Sequence, residues 1–197
     1  MKRLLAAFLA ALMLALALAG CGSASTSPSF GINLNPPGVT TTVTPTAQLP
    51  ANDHVVDYRL NIPSRFTPLE PEDFGIDADA FWYRSGGSSI TVTTEPRDST
   101  DTLEGFLEIS VTDFHNQQQI ALGPNTQLTD LYFTRDDVSG LPALQYAYKT
   151  TSDGQTSYAI LVSVLADPLY FFGFAAADAE TMLELEQCSK NIQLIFG

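Results

Sequence analysis

Few side chains in this sequence could do chemistry. His54 and His115 are its two histidines, and Cys21 and Cys188 its two cysteines, in 197 residues. His115 falls at the end of a predicted helix, where the helix dipole favours the protonated ring. It reads there either as a helix-end histidine or as the base of an envelope hydrolase. His54 stands at the start of the predicted domain. Carboxylates crowd one stretch, where Glu70, Glu72, Asp73, Asp77 and Asp79 lie within ten residues. Oxygen-rich clusters can hold calcium, but the spacing of an EF-hand loop is missing, so a solvated loop is the plainer reading. Asp136 and Asp137 are adjacent, and neighbours on a strand point to opposite faces, which argues against a paired-carboxylate centre. Trp82 sits in Phe81-Trp82-Tyr83-Arg84. On a strand it shares its face with Arg84, either as an anchor for a partner or packed beneath a helix. HExxH, CxxC, GxGxxG, GxSxG and the phosphate-binding loop are all absent. No catalytic residue, cofactor or metal site is therefore expected.

The first residues hold the strongest signal. Lys2 and Arg3 precede sixteen apolar residues from Leu4 to Ala19. A helix of that length spans roughly 24 Å, short of the roughly 30 Å hydrocarbon core of a bilayer. A basic start, a short apolar middle and a small-residue end are the parts of a secretory signal peptide. Leu18, Ala19, Gly20 and Cys21 resemble the lipobox of bacterial lipoproteins. The resemblance implies cleavage before Cys21, a diacylglycerol on its sulfur, and a mature protein anchored to the outer face of a membrane by its acyl chains. Gly22 follows the cysteine and leaves inner and outer membranes both open.

Residues 22 to 52 carry no charge and are rich in Ser, Thr, Pro, Gly and Asn. Such a composition cannot bury enough apolar surface to offset its ordering entropy. Residues 1–20 are thus read as a signal peptide, 21–52 as a lipidated cysteine with a disordered tether, and 53–197 as one globular domain. All 22 acidic residues fall in that domain with seven of the nine basic ones, a balance of −15 (7 − 22). So acidic a domain lacks the basic footprint that nucleic acid requires. It fits either a cationic partner or plain colloidal solubility. With Cys21 acylated, Cys188 has no partner for a disulfide. Its place beside Leu185 and Ile192 suggests a small buried apolar residue rather than a reactive thiol.

The elements that would position these residues follow from periodicity. Tyr58, Leu60 and Ile62 alternate with polar residues in a half-buried strand ended by Pro63. An irregular acidic loop covers 64–79, and "FWYR" and "SSITVTT" read as a hairpin around Gly86-Gly87. Leu103, Phe106, Leu107, Val111 and Phe114 place an amphipathic helix over 102–116, with Asp101 and Glu104 as its capping box. A polar crossover spans 116–127. Four strands follow, "LYFTRD", "PALQYAYKT", "TSYAILVSVL" and "LYFFGFAA". The last two are apolar on both faces, so they sit centrally and are covered twice. A final helix spans about 178–194, with Met182, Leu185 and Ile192 inward.

The order of strand with "IP", hairpin, helix, "SGLPALQYAY", two apolar strands and final helix resembles the PsbP/Mog1-like fold. The fold class is therefore α+β, an α/β/α sandwich whose mainly antiparallel sheet has six to seven strands and helices on both faces. The resemblance implies an accessory or binding protein and transfers no functional residue. The expectation is a lipid-anchored, non-enzymatic binding or assembly module of the bacterial envelope. Its partner would be an envelope protein or wall component meeting Asp73, Asp77, Asp79 and Trp82. A small-ligand or cation sensor with a pocket between sheet and helix is the alternative.

Overall fold

The computed structural model describes Leu49 and residues 52–197. The signal segment, the lipobox Leu18 to Cys21 and nearly all of the tether lie outside the described residues. Seven strands form one antiparallel sheet in the order β2-β3-β4-β8-β7-β6-β5. They are β2 (Thr67–Leu69), β3 (Ala80–Arg84), β4 (Ser88–Glu95), β5 (Gln127–Val138), β6 (Leu141–Ser152), β7 (Gln155–Val164) and β8 (Leu169–Ala176). Two further strands, β1 (Val55–Arg59) and β9 (Gln193–Phe196), pair with each other in a separate antiparallel ribbon.

The sheet is built as its alternation dictates. Ile160, Val162, Phe172, Phe174, Ile90 and Val92 share one face and are fully buried or nearly so. Helix α3 (Ala179–Lys190) and the β1–β9 ribbon cover that face through Met182, Leu185, Cys188, Val55 and Leu194. Leu144, Tyr146, Tyr148, Ala159, Leu161 and Phe171 form the other face. It is met by α1 (Leu103–Glu108) and α2 (Val111–Leu122) through Phe106, Ile109 and Phe114. Leu49 packs against this second cluster. The expected α+β sandwich with helices on both faces is what the chain forms. Cys188 is buried, and burial pushes its thiol up to about 11, which keeps it protonated and inert.

Several expectations need correction. The single helix over 102–116 is two helices, because Ser110 interrupts it and starts a new one. The Ser110 hydroxyl accepts from the Asp113 backbone N–H at 3.3 Å, while the Asp113 carboxylate accepts from the Ser110 N–H at 2.8 Å. The second helix then runs through the supposed polar crossover to Leu122, with Gln118 buried against the sheet. At the first helix the cap is Thr102, whose hydroxyl accepts from the Gly105 N–H. Asp101 instead accepts from the Asp98 N–H, so the expected Asp101–Glu104 box does not form. The final helix stops at Lys190. Gln193 and Leu194, read as the end of that helix, belong instead to β9 (Gln193–Phe196), because β1 offers a strand to pair with. That pairing also takes β1 out of the main sheet. The 64–79 loop contributes the short edge strand β2 and a 3-10 turn, Pro71–Phe74.

The new cap is testable. Ser110→Ala should cost about 1 kcal/mol of stability in urea denaturation. Hydrogen bonds from the Ser110 hydroxyl, then from its backbone, hold the Asp113 carboxyl below the usual carboxylate range. The ionised form therefore stabilises the fold above the unfolded pKa, and that part is lost as pH falls through the lowered value. The gap between parent and variant should narrow below pH ~4. A gap unchanged at lower pH would exclude the carboxylate's share in the cap.

Candidate functional site

The residues singled out by type are scattered by the fold. Asp73 lies exposed on the Pro71–Phe74 turn, which ends at Gly75 with φ 65°, a left-handed conformation suited to glycine. Phe74 packs its ring 5.5 Å from Phe81, and Ile76 plugs the loop into the core. Asp77 is exposed as well, with Glu70 and Glu72. Among the described residues these four carboxylates form no ion pair. Among the described residues, too, no group of three or more His, Cys, Asp or Glu is placed to hold a metal ion.

Asp79 behaves differently. Its carboxylate accepts from the Thr94 N–H, and its own N–H donates to the Val92 carbonyl at 2.8 Å. It also lies near the Tyr58 phenol. Burial first, then the Asp79 and Asp57 charges, push that phenol up to about 12. Trp82 stands opposite Ile90 in the register and packs, partly buried, against the core cluster on the α3 side of the sheet. Arg84 beside it donates to the Thr181 hydroxyl of α3. Since Phe81 and Trp82 are neighbours on one strand, the pleat sends them to opposite faces. The acidic turn, which covers Phe81, is thus on the other side of the sheet from Trp82.

His115 is not at a helix end. It lies within α2, and its Nδ1 is 2.8 Å from the Asp130 Oδ1 on β5. The Tyr146 hydroxyl donates to the same carboxylate oxygen at 2.5 Å. Burial, then this hydrogen bond and charge, hold that phenol protonated far above its usual range. An imidazole steadied by a carboxylate is part of a catalytic constellation. Here no described hydroxyl or thiol bonds its second nitrogen, and the group ties α2 to β5 and β6.

Of the residues around one polar groove, sequence reasoning had weighed Asp136 and Asp137 but not Tyr132, Gln145, Glu186 or Ser189. This groove, of about 540 Å³, opens between α3 and the outer strands β5 and β6. Its floor is a hydrogen-bonded chain. Gln145 Nε2 donates to the Tyr132 hydroxyl and to the Ser189 Oγ, each at 3.0 Å. Ser189 donates in turn to the Glu186 carbonyl at 2.9 Å. Burial, then the Glu186 charge, raise the Tyr132 phenol well above its ordinary value, so it stays protonated. Lys190 Nζ is 2.6 Å from the Glu186 carboxylate. Asp136 and Asp137, expected on opposite faces, both border the groove. They sit where the strand turns over through Ser139 and Gly140, with φ 55° and 84°. The Ser139 hydroxyl accepts from the Leu194 N–H and pins that hairpin to β9. The signal in sequence was slight: Tyr132, Thr134 and Asp136 alternate along an edge strand.

In backbone geometry the chain is similar to cyanobacterial PsbP (CyanoP) from Synechocystis sp. PCC 6803, with a TM-score of 0.53 at 14% identity over 70% of this chain and 86% of that one. It is also similar to LpqN, a protein involved in cell envelope biogenesis of Mycobacterium tuberculosis, with a TM-score of 0.42 at 12% identity over 70% of this chain and 82% of that one. The apo immunity protein TplEi of the T6SS from Pseudomonas aeruginosa gives a TM-score of 0.37 at 16% identity, covering 58% of this chain and 43% of that one. No family model matches the sequence, and no curated protein matches it. The first likeness shows the fold, a PsbP-like α+β sandwich.

The acidic residues should separate by role. Asp79→Ala removes an acceptor from the Thr94 N–H and should cost about 1 kcal/mol. Asp73→Lys and Asp77→Lys together should leave the melting temperature unchanged. A drop in the double variant equal to that of Asp79→Ala would make the turn structural.

Proposed function

We propose that this chain is a non-enzymatic binding or assembly module of the bacterial envelope, held on the extracytoplasmic face of a membrane by lipid on Cys21. The observation that carries the binding half is the groove between α3 and the outer strands. Its polar floor is tied together by the Tyr132–Gln145–Ser189 hydrogen bonds, which link β5, β6 and α3. A ligand would therefore meet groups already in place, with little ordering cost. Ser189 and Lys190 are among the side chains there that could act as nucleophiles. Ser189 spends its proton on the Glu186 carbonyl, and Lys190 is bound to the Glu186 carboxylate. His115, the more plausible base, lies on the face of the sheet covered by α2 rather than α3. These features favour holding a partner over transforming it.

The anchor half rests on Leu18-Ala19-Gly20-Cys21. One acyl chain holds a protein weakly at a membrane, whereas two or three hold it stably. Among the described residues no helix is long and apolar enough to cross a membrane. The uncharged stretch 22–52 would give the domain reach to a protein or wall component. The acidic turn with Asp73 and Asp77 adds a second surface for a cationic partner.

A small-ligand or cation carrier is the second reading. A groove of about 540 Å³ is within the volume range of small-molecule sites. A saturable rise in melting temperature with a metabolite or cation, lost in Gln145→Leu, would favour it.

Fractionation and intact-mass measurement test the leading reading. Cys21→Ala should release the protein from membranes and remove the added mass of the lipid. A variant that stays membrane-bound without lipid would sink the anchor.

A further inference from the structure

We propose that the outer edge of β5, with the groove beside it, docks an extended basic segment of a partner protein as an added strand. This rests on the reading of the domain as a binding module. The sheet has two ends, and they differ. The β2 end is three residues long and contains Pro68, which lacks a backbone donor, so that edge is poorly fitted to pair. The β5 end is 12 residues long without proline, and among the described residues no strand pairs with its outer side. A bulge at Leu131 interrupts the register, and the strand then runs regularly from Tyr132 to Val138. Those same residues present Tyr132, Thr134, Asp136 and Val138 alternately to the groove.

A strand laid against them would run ~4.8 Å away, with every second side chain over the groove. Backbone bonds would supply affinity and the groove would choose among sequences. Charge makes that choice. Asp136, Asp137 and Glu186 line it, and the one cation lining it, Lys190, is already bound to Glu186. Lysine or arginine at alternate positions is attracted, and acidic residues are repelled. A second copy of β5 suits the edge less well. It would bring Asp130, Asp136 and Asp137 with a single Arg135, whose guanidinium already bonds the Leu107 and Ile109 carbonyls.

The test uses the full chain in detergent and a fluorescent capped peptide, Lys-Thr-Lys-Val-Lys-Thr-Lys-Val. Saturable anisotropy is expected, weakened about tenfold by Asp136→Asn and likewise by Glu186→Gln. N-methylating the alternate amides that face the edge should abolish binding and replacing lysine by glutamate should lower it, whereas methylating the set that faces away should be tolerated. Binding of both methylated peptides at full strength would overturn strand addition, because only charge would then matter. Absence of binding would overturn it too. So would a concentration-dependent dimer that the peptide cannot dissociate, since it would assign the edge to a second copy. A photo-cross-linking residue at Thr134 or at Asp73, in native membranes, separates the two levels. Adducts from Asp73 alone would refute the β5 site and leave the binding module standing. No adduct from either position would count against both.

Discussion

Burial of β7 and β8 on both faces is the constraint on which the structure depends. Residues 169–176 of β8 are all buried, and Tyr170, Phe171, Phe172 and Phe174 alternate across the sheet. Each such ring contributes roughly 1.5–3 kcal/mol when taken from water. That gain requires apolar cover on both sides at once. One face takes α3 and the β1–β9 ribbon, and the other takes α1 and α2. The two cores are separate clusters joined only through the sheet, so losing either layer would expose one side of the same strands.

The same constraint explains where polar surface is left. Seven strands ~4.8 Å apart span ~29 Å, whereas a helix is about 10 Å wide. Helix α3 lies over β7 and β8. Its C-terminal part and β9 cannot also cover the face of β5 and β6, and the groove opens there. Gln145, Tyr132 and Ser189 satisfy one another at its floor, as half-buried polar groups must. A binding groove is in this sense the remainder of a sheet wider than its cover.

Legibility followed how local each cause was. The four long strands could be read because each carries its own alternation and its own turns, such as Asp153-Gly154 with φ 52° and 77°. The burial of Cys188 and Leu185 could be read from helical spacing. The break at Ser110 left a trace in Ser110 and Asp113, three residues apart, which the continuous apolar stripe obscured. The β1–β9 pairing could not be read, since the partners are more than a hundred residues apart and, although β1 alternates as a strand should, the start of β9 looks like the end of the last helix. The roles of the acidic residues were likewise illegible. Asp73, Asp77 and Asp79 are alike in sequence, yet only Asp79 lands beside a backbone donor, the Thr94 N–H.

The sequence by itself determined the layered class, the centrality of β7 and β8, the helical cover, the acidity of the domain and the lipobox-like quartet ending at Cys21. These follow from composition and from periods of two and 3.6, which are properties of short stretches. Tertiary structure alone decided which face Trp82 turns to, that His115 meets Asp130, and that Asp136, Tyr132 and Glu186 border one groove. Those outcomes depend on which strands become neighbours and where a helix stops covering a sheet. Such pairings join residues distant in the chain, and no local pattern encodes them.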